Sequence, residues 1–188
     1  MRTKHADPAG PRPAAAGAWP AGGPLPADLL AAKALVYDPA GFVCGRPEAE
    51  PESADYGAHA FTLDGYAVRF RVARTTPTKA GQFVTLWQRS AAGPIRPFDL
   101  ADPVDLFVVS SREGDRFGQF VLPKEVLRRR GIVSAGGSGG KRAFRVYPPW
   151  AVTTSRQAVA TQAWQAEYFL PVGPAAVDTG RARELHRP

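Results

Sequence analysis

The sequence predicts one α+β domain of the mixed α/β type, with a central mixed or mostly antiparallel sheet flanked by helices. Three observations carry this. A tight-turn pair, Asp64-Gly65, separates two strand-like runs. Two further apolar runs, 104–109 and 117–122, have strand length and no helical period. Helix-like segments stand at both ends and after Pro123.

The first helix is expected over 28–35, with Asp28 as its N-cap and Leu29, Leu30 and Leu35 as its anchors. An acidic stretch, 48–55, follows and begins a short helix at Glu52. The hairpin then runs from 58–63 to 66–73. On its second strand Val68, Phe70 and Val72 share the face expected to meet the core. Arg69 and Arg71 project together from the opposite face.

Residues 75–81 read as a loop, and 82–89 as a strand or a short helix. A turn is expected at 91–94. Asp105 stands near the start of the strand over 104–109. Pro123 suits the first turn of a helix that stops at Gly131. The glycine run 135–140 reads as a flexible linker, since it lacks the strand and Lys-Ser/Thr context of a phosphate loop. A strand over 141–147 and a helix over about 155–170 close the domain. The expected apolar stripe of that helix is Val159, Ala163, Ala166 and Leu170.

The 188 residues, 44% of them hydrophobic, suffice for one core. Residues 1–28 are Pro/Ala/Gly-rich and are expected to be a disordered tail, as are 171–188; the domain is placed at 29–170. No apolar run is long enough for a membrane span, and none has the form of a secretory leader. The single Cys44 cannot form an internal disulfide, which points to a reducing, cytoplasmic setting. Three histidines, two of them in the tails, exclude a Cys/His zinc cluster within the domain.

The formal charge of +7 is unevenly spread. Between Arg69 and Arg156 there are sixteen Lys/Arg against six Asp/Glu, whereas between Leu29 and Val68 there are two against six. A basic field of this kind attracts phosphate backbones. The candidate nucleic-acid contacts are Arg69, Arg71, Arg74, Arg89, Lys124, Lys141 and Arg145, with Trp87, Tyr147 and Trp150 as stacking platforms. Phosphodiester cleavage would need carboxylates for a magnesium ion and a cation against developing charge. Glu52 and Asp105 are the candidate metal ligands, and Arg71 and Lys79 complete the candidate catalytic set. A pocket for a small anion, lined by Arg71, Lys79 and Arg145, is the second reading. A protein-contact surface on Trp87 and Trp150 is the third.

Several ordered blocks then resemble one family. They include Glu52-Ser53, Asp55-Tyr56, Phe70-Arg-Val-Ala-Arg74 and Thr76-Pro-Thr-Lys-Ala-Gly-Gln-Phe-Val-Thr-Leu-Trp87. Asp102-Pro-Val-Asp105, Gly118-Gln-Phe-Val-Leu-Pro-Lys124, Arg142-Ala-Phe-Arg-Val-Tyr-Pro-Pro-Trp150 and Trp164-Gln-Ala-Glu-Tyr-Phe169 continue them. Over about 35–170 the chain resembles the MepB family of small bacterial proteins. The resemblance implies a fold like that of restriction endonuclease-like nucleases and a DNA partner. It does not imply cutting: Val72 stands where the nuclease signature has its second acid, and Arg74 where it has its lysine.

Overall fold

The Asp64-Gly65 pair does what its chemistry predicts. Both residues adopt positive φ, 49° and 89°, the geometry of a two-residue turn that matches strand twist. The turn joins β2 (His59–Leu63) to β3 (Tyr66–Val72). In the computed structural model, residues 19, 24–89, 93–173 and 175–188 are described. Most of the expected N-terminal tail, and the first two residues of the turn at 91–94, lie outside these.

The first helix, α1 (Ala27–Ala32), widens into a π-helical turn over Lys33–Tyr37. Val36 and Tyr37 of the widened turn are buried in the core, whereas Leu30 of α1 and Leu35 lie on the surface. Leu29 is buried as expected. Asp28 is not the cap; it lies inside the helix and accepts a hydrogen bond from Arg112 Nε at 2.7 Å.

A short β1 (Glu48–Ala49) precedes a 3-10 turn, Pro51–Tyr56. After the hairpin come β4 (Arg74–Thr75), β5 (Gln82–Thr85), β6 (Trp87–Arg89) and β7 (Ile95–Pro97). The segment of open identity, 82–89, is therefore strand. The long strands β8 (Leu106–Glu113) and β9 (Arg116–Pro123) lead into α2 (Lys124–Arg129). Then follow β10 (Ala143–Val146), α3 (Arg156–Ala166), β11 (Phe169–Pro171) and α4 (Thr179–Leu185).

The main sheet has the order β1-β2-β3-β8-β9-β11. Only β3 and β8 run parallel, so the sheet is mixed and mostly antiparallel. Both of its faces are covered. On one, Val68, Phe70, Leu106 and Val108 pack with α1, the π turn and α4. On the other, Phe107, Val109 and Phe120 pack with Val84 and Val146 of a smaller sheet, β10-β5-β4, and with Val126, Leu127 and Trp164 from α2 and α3.

Three expectations change here. The segment 171–188 is no disordered tail: α4 buries Ala182, Leu185 and His186 against the first core. Trp19, within the expected N-terminal tail, donates from Nε1 to the Gly45 carbonyl at 2.9 Å and meets the Phe61 ring edge-on. The glycine run is no loose linker, because Asp99 ties it down: its carboxylate accepts from Ser134 Oγ at 2.7 Å and from Gly137 N at 2.9 Å. Those bonds, backbone Gly137 first, hold the Asp99 carboxyl down at about 2.

Helix α3 also departs from its expected stripe. Val159, Ala163 and Ala166 face solvent, and Leu170 belongs to β11. The buried residues are Ala158, Trp164 and Gln165. Gln165 wins a buried place because it binds the edge of β10: its Oε1 accepts from Tyr147 N at 2.8 Å and its Nε2 donates to the Arg145 carbonyl at 2.9 Å.

Candidate nucleic-acid interface

The amide staple of Gln165 fixes α3 beside β10, and a surface cleft of about 600 Å3 opens between them. Lys79, Arg130, Lys141 and Arg145 line it, with Tyr147. Each cation arrives from a different element, and each position has a local cause. Arg145 alternates outward on β10 because Phe144 and Val146 are drawn into the core. Its guanidinium donates to the carbonyls of Ala80 and Gly81 at 3.1 and 3.3 Å and to Thr76 Oγ1 at 2.6 Å. Those bonds hold the 76–81 loop against the strand and present Lys79 at the cleft.

Gly81 makes this approach possible. It has φ +70°, and a Cβ there would stand 2.5 Å from Tyr147 Cδ1 and 2.6 Å from the Val146 carbonyl oxygen. Arg130 follows α2 and lies 4.9 Å over the Trp164 ring. Lys141 follows the glycine run, held by its backbone N–H on the Ile132 carbonyl at 2.8 Å.

Among the described residues, none of these four cations has a carboxylate within ion-pair distance. The N-terminal turn of α3 opens on the same cleft, through Ser155, Gln157 and Ala158. Ser155 Oγ accepts from Ala158 N at 3.2 Å, so the remaining first-turn amides add partial positive charge. The arrangement suits an extended or multiply charged anion.

The other expected contacts scatter. Arg71 is only 1% exposed and does not face solvent. Glu50 takes Arg71 Nη1 at 2.5 Å and Arg69 Nε at 3.2 Å. The face that Arg69 and Arg71 share is real, but Arg71 is covered and the half-buried Arg69 shares its Glu50 partner, so neither is a free cation. Lys124 donates to the carbonyls of Leu100 and Asp102 at 2.8 and 2.9 Å and is structural. Arg74 and Arg89 are exposed, Arg74 lying 5.6 Å over the Tyr56 ring. Trp150 packs edge-on against Phe169 and carries Arg116 at 5.6 Å. Trp87 is half-buried in a separate cleft with Glu52.

The candidate catalytic set is not brought together. Glu52 and Lys79 line different clefts. Arg71 is bound to Glu50. The Asp105 carboxylate accepts the Ala67 N–H at 2.8 Å, which starts the parallel β3–β8 pairing. Arg71 pairs four residues further along that ladder, opposite Val109, a separation of roughly 13 Å. Glu52 and Asp105 line no common cleft, and among the described residues no group of three His, Cys, Asp or Glu side chains is suited to a metal ion. The donors do not fit a magnesium site.

Sequence reading placed Lys79, Lys141, Arg145 and Tyr147 among the candidates, and the cleft unites them. It missed Arg130 and the Ser155 turn as lining residues, and Gln165 as the staple. The signal for Arg130 was its run of three arginines: Arg128 is spent on Glu125 at 2.6 Å, and Arg130 turns to Trp164.

Fold and cleft together define a small α/β domain with two cores and a basic surface cleft. The chain belongs to the MepB-like family, whose model matches residues 50–171. A solved structure described as the crystal structure of MepB is 34% identical, covers 68% of this chain and 86% of its own, and superposes with a TM-score of 0.66. Comparison with curated proteins gave no match. The family match ends before α4 begins. Among the described residues no helix is long and apolar enough to cross a membrane.

Proposed function

We propose that this protein binds nucleic acid, DNA in the first instance, through the cleft between β10 and α3, and binds it without cutting. The observation that carries the reading is the meeting of Lys79, Arg130, Lys141 and Arg145 in one cleft with no carboxylate partner for any of them among the described residues. Phosphates are the ligands that such a set favours. The family resemblance to nuclease-like proteins points the same way. Against cutting stand Val72 and Arg74 at the signature positions, and the engagement of Asp105 by Ala67. A cytoplasmic setting belongs to the same proposal, supported by the lone Cys44, whose thiol burial pushes up to about 11.

Labelled single- and double-stranded DNA, titrated at about 50 mM and about 200 mM salt, tests this. Four phosphate contacts predict that duplex affinity falls about a hundredfold between the two. Absence of binding at the lower salt removes the reading. Adding magnesium or manganese to the bound complex distinguishes a nuclease: cleaved product would overturn the non-cutting part. The cleft's volume also lies in the range of small-ligand sites. A compact polyanion such as inorganic triphosphate, bound tightly where DNA is not, would move the reading to a small-anion protein.

A further inference from the structure

The 3-10 turn and the consecutive strands β5 and β6 line a second cleft, of about 350 Å3. Glu52, Ser53, Asp55 and Tyr56 line one side of it, and Thr85 and Trp87 the other. Its position relative to the basic cleft follows from register. Thr85 stands directly opposite Ala143, and Phe83 opposite Arg145. Opposed residues of an antiparallel pair point to the same face, and the strands lie about 4.8 Å apart. Ala143 and Arg145 line the basic cleft. The two clefts therefore open on one surface, either side of a single ladder. The Phe83 ring spans the boundary, 6.3 Å from the Tyr56 ring and 6.0 Å from the Arg145 guanidinium.

The second cleft has the opposite chemistry. Glu52 and Asp55 are exposed carboxylates without an ion-pair partner among the described residues. Two hydroxyls in its wall, Ser53 Oγ and Thr85 Oγ1, are buried and lack a hydrogen-bond partner among the described residues, and Ser53 is only 4% exposed. Buried hydroxyls are seldom left so, because each costs about 1–3 kcal/mol. Trp87 adds a half-buried aromatic wall. Arg74 occupies one side of Tyr56 and supplies a further cation beside the cleft.

We propose that this cleft seats an unpaired guanine base of a strand whose phosphates lie in the neighbouring basic cleft. The inference rests on the nucleic-acid reading and names its substrate class. Ionised carboxylates only accept hydrogen bonds, so they select a base edge rich in N–H donors. Guanine presents N1–H and the N2 amino group side by side, next to an O6 acceptor that a hydroxyl can serve. No other base offers two adjacent donor groups. That edge is consumed in a duplex, so the base must come from a single strand or be turned out of the stack. Trp87 supplies the π-face on which it stacks.

The full chain is titrated, by fluorescence anisotropy, with oligothymidylates that differ at one central position: guanine, adenine, cytosine, thymine or an abasic site. Guanosine monophosphate alone is a further arm. The guanine strand is expected to bind about tenfold or more tightly than the abasic strand. Glu52→Gln, on an exposed turn, and Trp87→Ala are each expected to erase that preference and leave abasic binding intact, with thermal melting as the check on folding. Equal affinity for all five strands overturns the guanine site while the basic-cleft reading stands. Preference that survives both substitutions also overturns it. If no strand binds at low salt, the nucleic-acid reading itself fails. Guanosine monophosphate matching the guanine strand assigns the same pocket to free nucleotides, and a strand that binds tighter assigns it to nucleic acid.

Discussion

Arg71 shows how much a single side chain depends on what lies above it. Alternation along β3 places it beside Arg69, and the structure keeps that pairing. Yet the guanidinium is buried, and burial pushes its pKa down while Glu50 pulls it back up. A buried cation that loses its partner is costly, because the charge remains and its compensation does not. Glu50→Gln is therefore expected to cost about 3 kcal/mol and lower Tm by roughly 10 °C, read by thermal melting. A Tm within about 2 °C of the parent would show that Arg71 needs no counter-charge. Gln165 makes the complementary point. A polar residue at a helix position expected to be apolar is buried because it completes the hydrogen bonding of β10.

Among the elements, α4 departs furthest from expectation. Its sequence, Thr-Gly-Arg-Ala-Arg-Glu-Leu, has few apolar residues and reads as tail. It folds because Asp178 Oδ1 caps it at Arg181 N, 2.9 Å, and because Ala182, Leu185 and His186 meet an existing apolar surface. His186 lies edge-on to Tyr37 at 5.6 Å and 5.2 Å from Phe42. Its Nδ1 meets the Ala182 carbonyl at 2.8 Å, while Nε2 is buried without a partner among the described residues. Burial pushes its pKa down to about 4, from 6.5. The unfolded chain thus takes up a proton near pH 6.5, and the folded chain does so only near pH 4. Stability from this group is complete above pH 6.5 and falls as pH drops towards 4, by roughly 3 kcal/mol over that window. His186→Phe should flatten the Tm-against-pH curve between those values, and an unchanged slope would place the dependence elsewhere.

For the whole molecule, charge is organised by packing rather than by chain order. The basic excess between Arg69 and Arg156 divides into cations spent on structure, such as Arg71 and Lys124, and cations left on one surface, such as Lys79 and Lys141. Lys141→Ala is expected to weaken DNA binding regardless of sequence and to make the salt slope shallower by about one, whereas Arg116→Ala, outside the cleft and paired with Glu113, should leave that slope unchanged. Equal slopes for both variants would place the contact surface elsewhere. The sequence by itself determined the hairpin, the strand identities of 104–109 and 117–122, a helix that begins one residue after Pro123 and the family, because turn chemistry, short-range alternation and ordered blocks are local properties. Only tertiary structure decided which basic residues are free. Solvent exposure depends on the second sheet covering β3, and that is a non-local event. It also decided the folding of α4 and the adjacency of two clefts with opposite chemistry, since both arise where segments far apart in the chain meet.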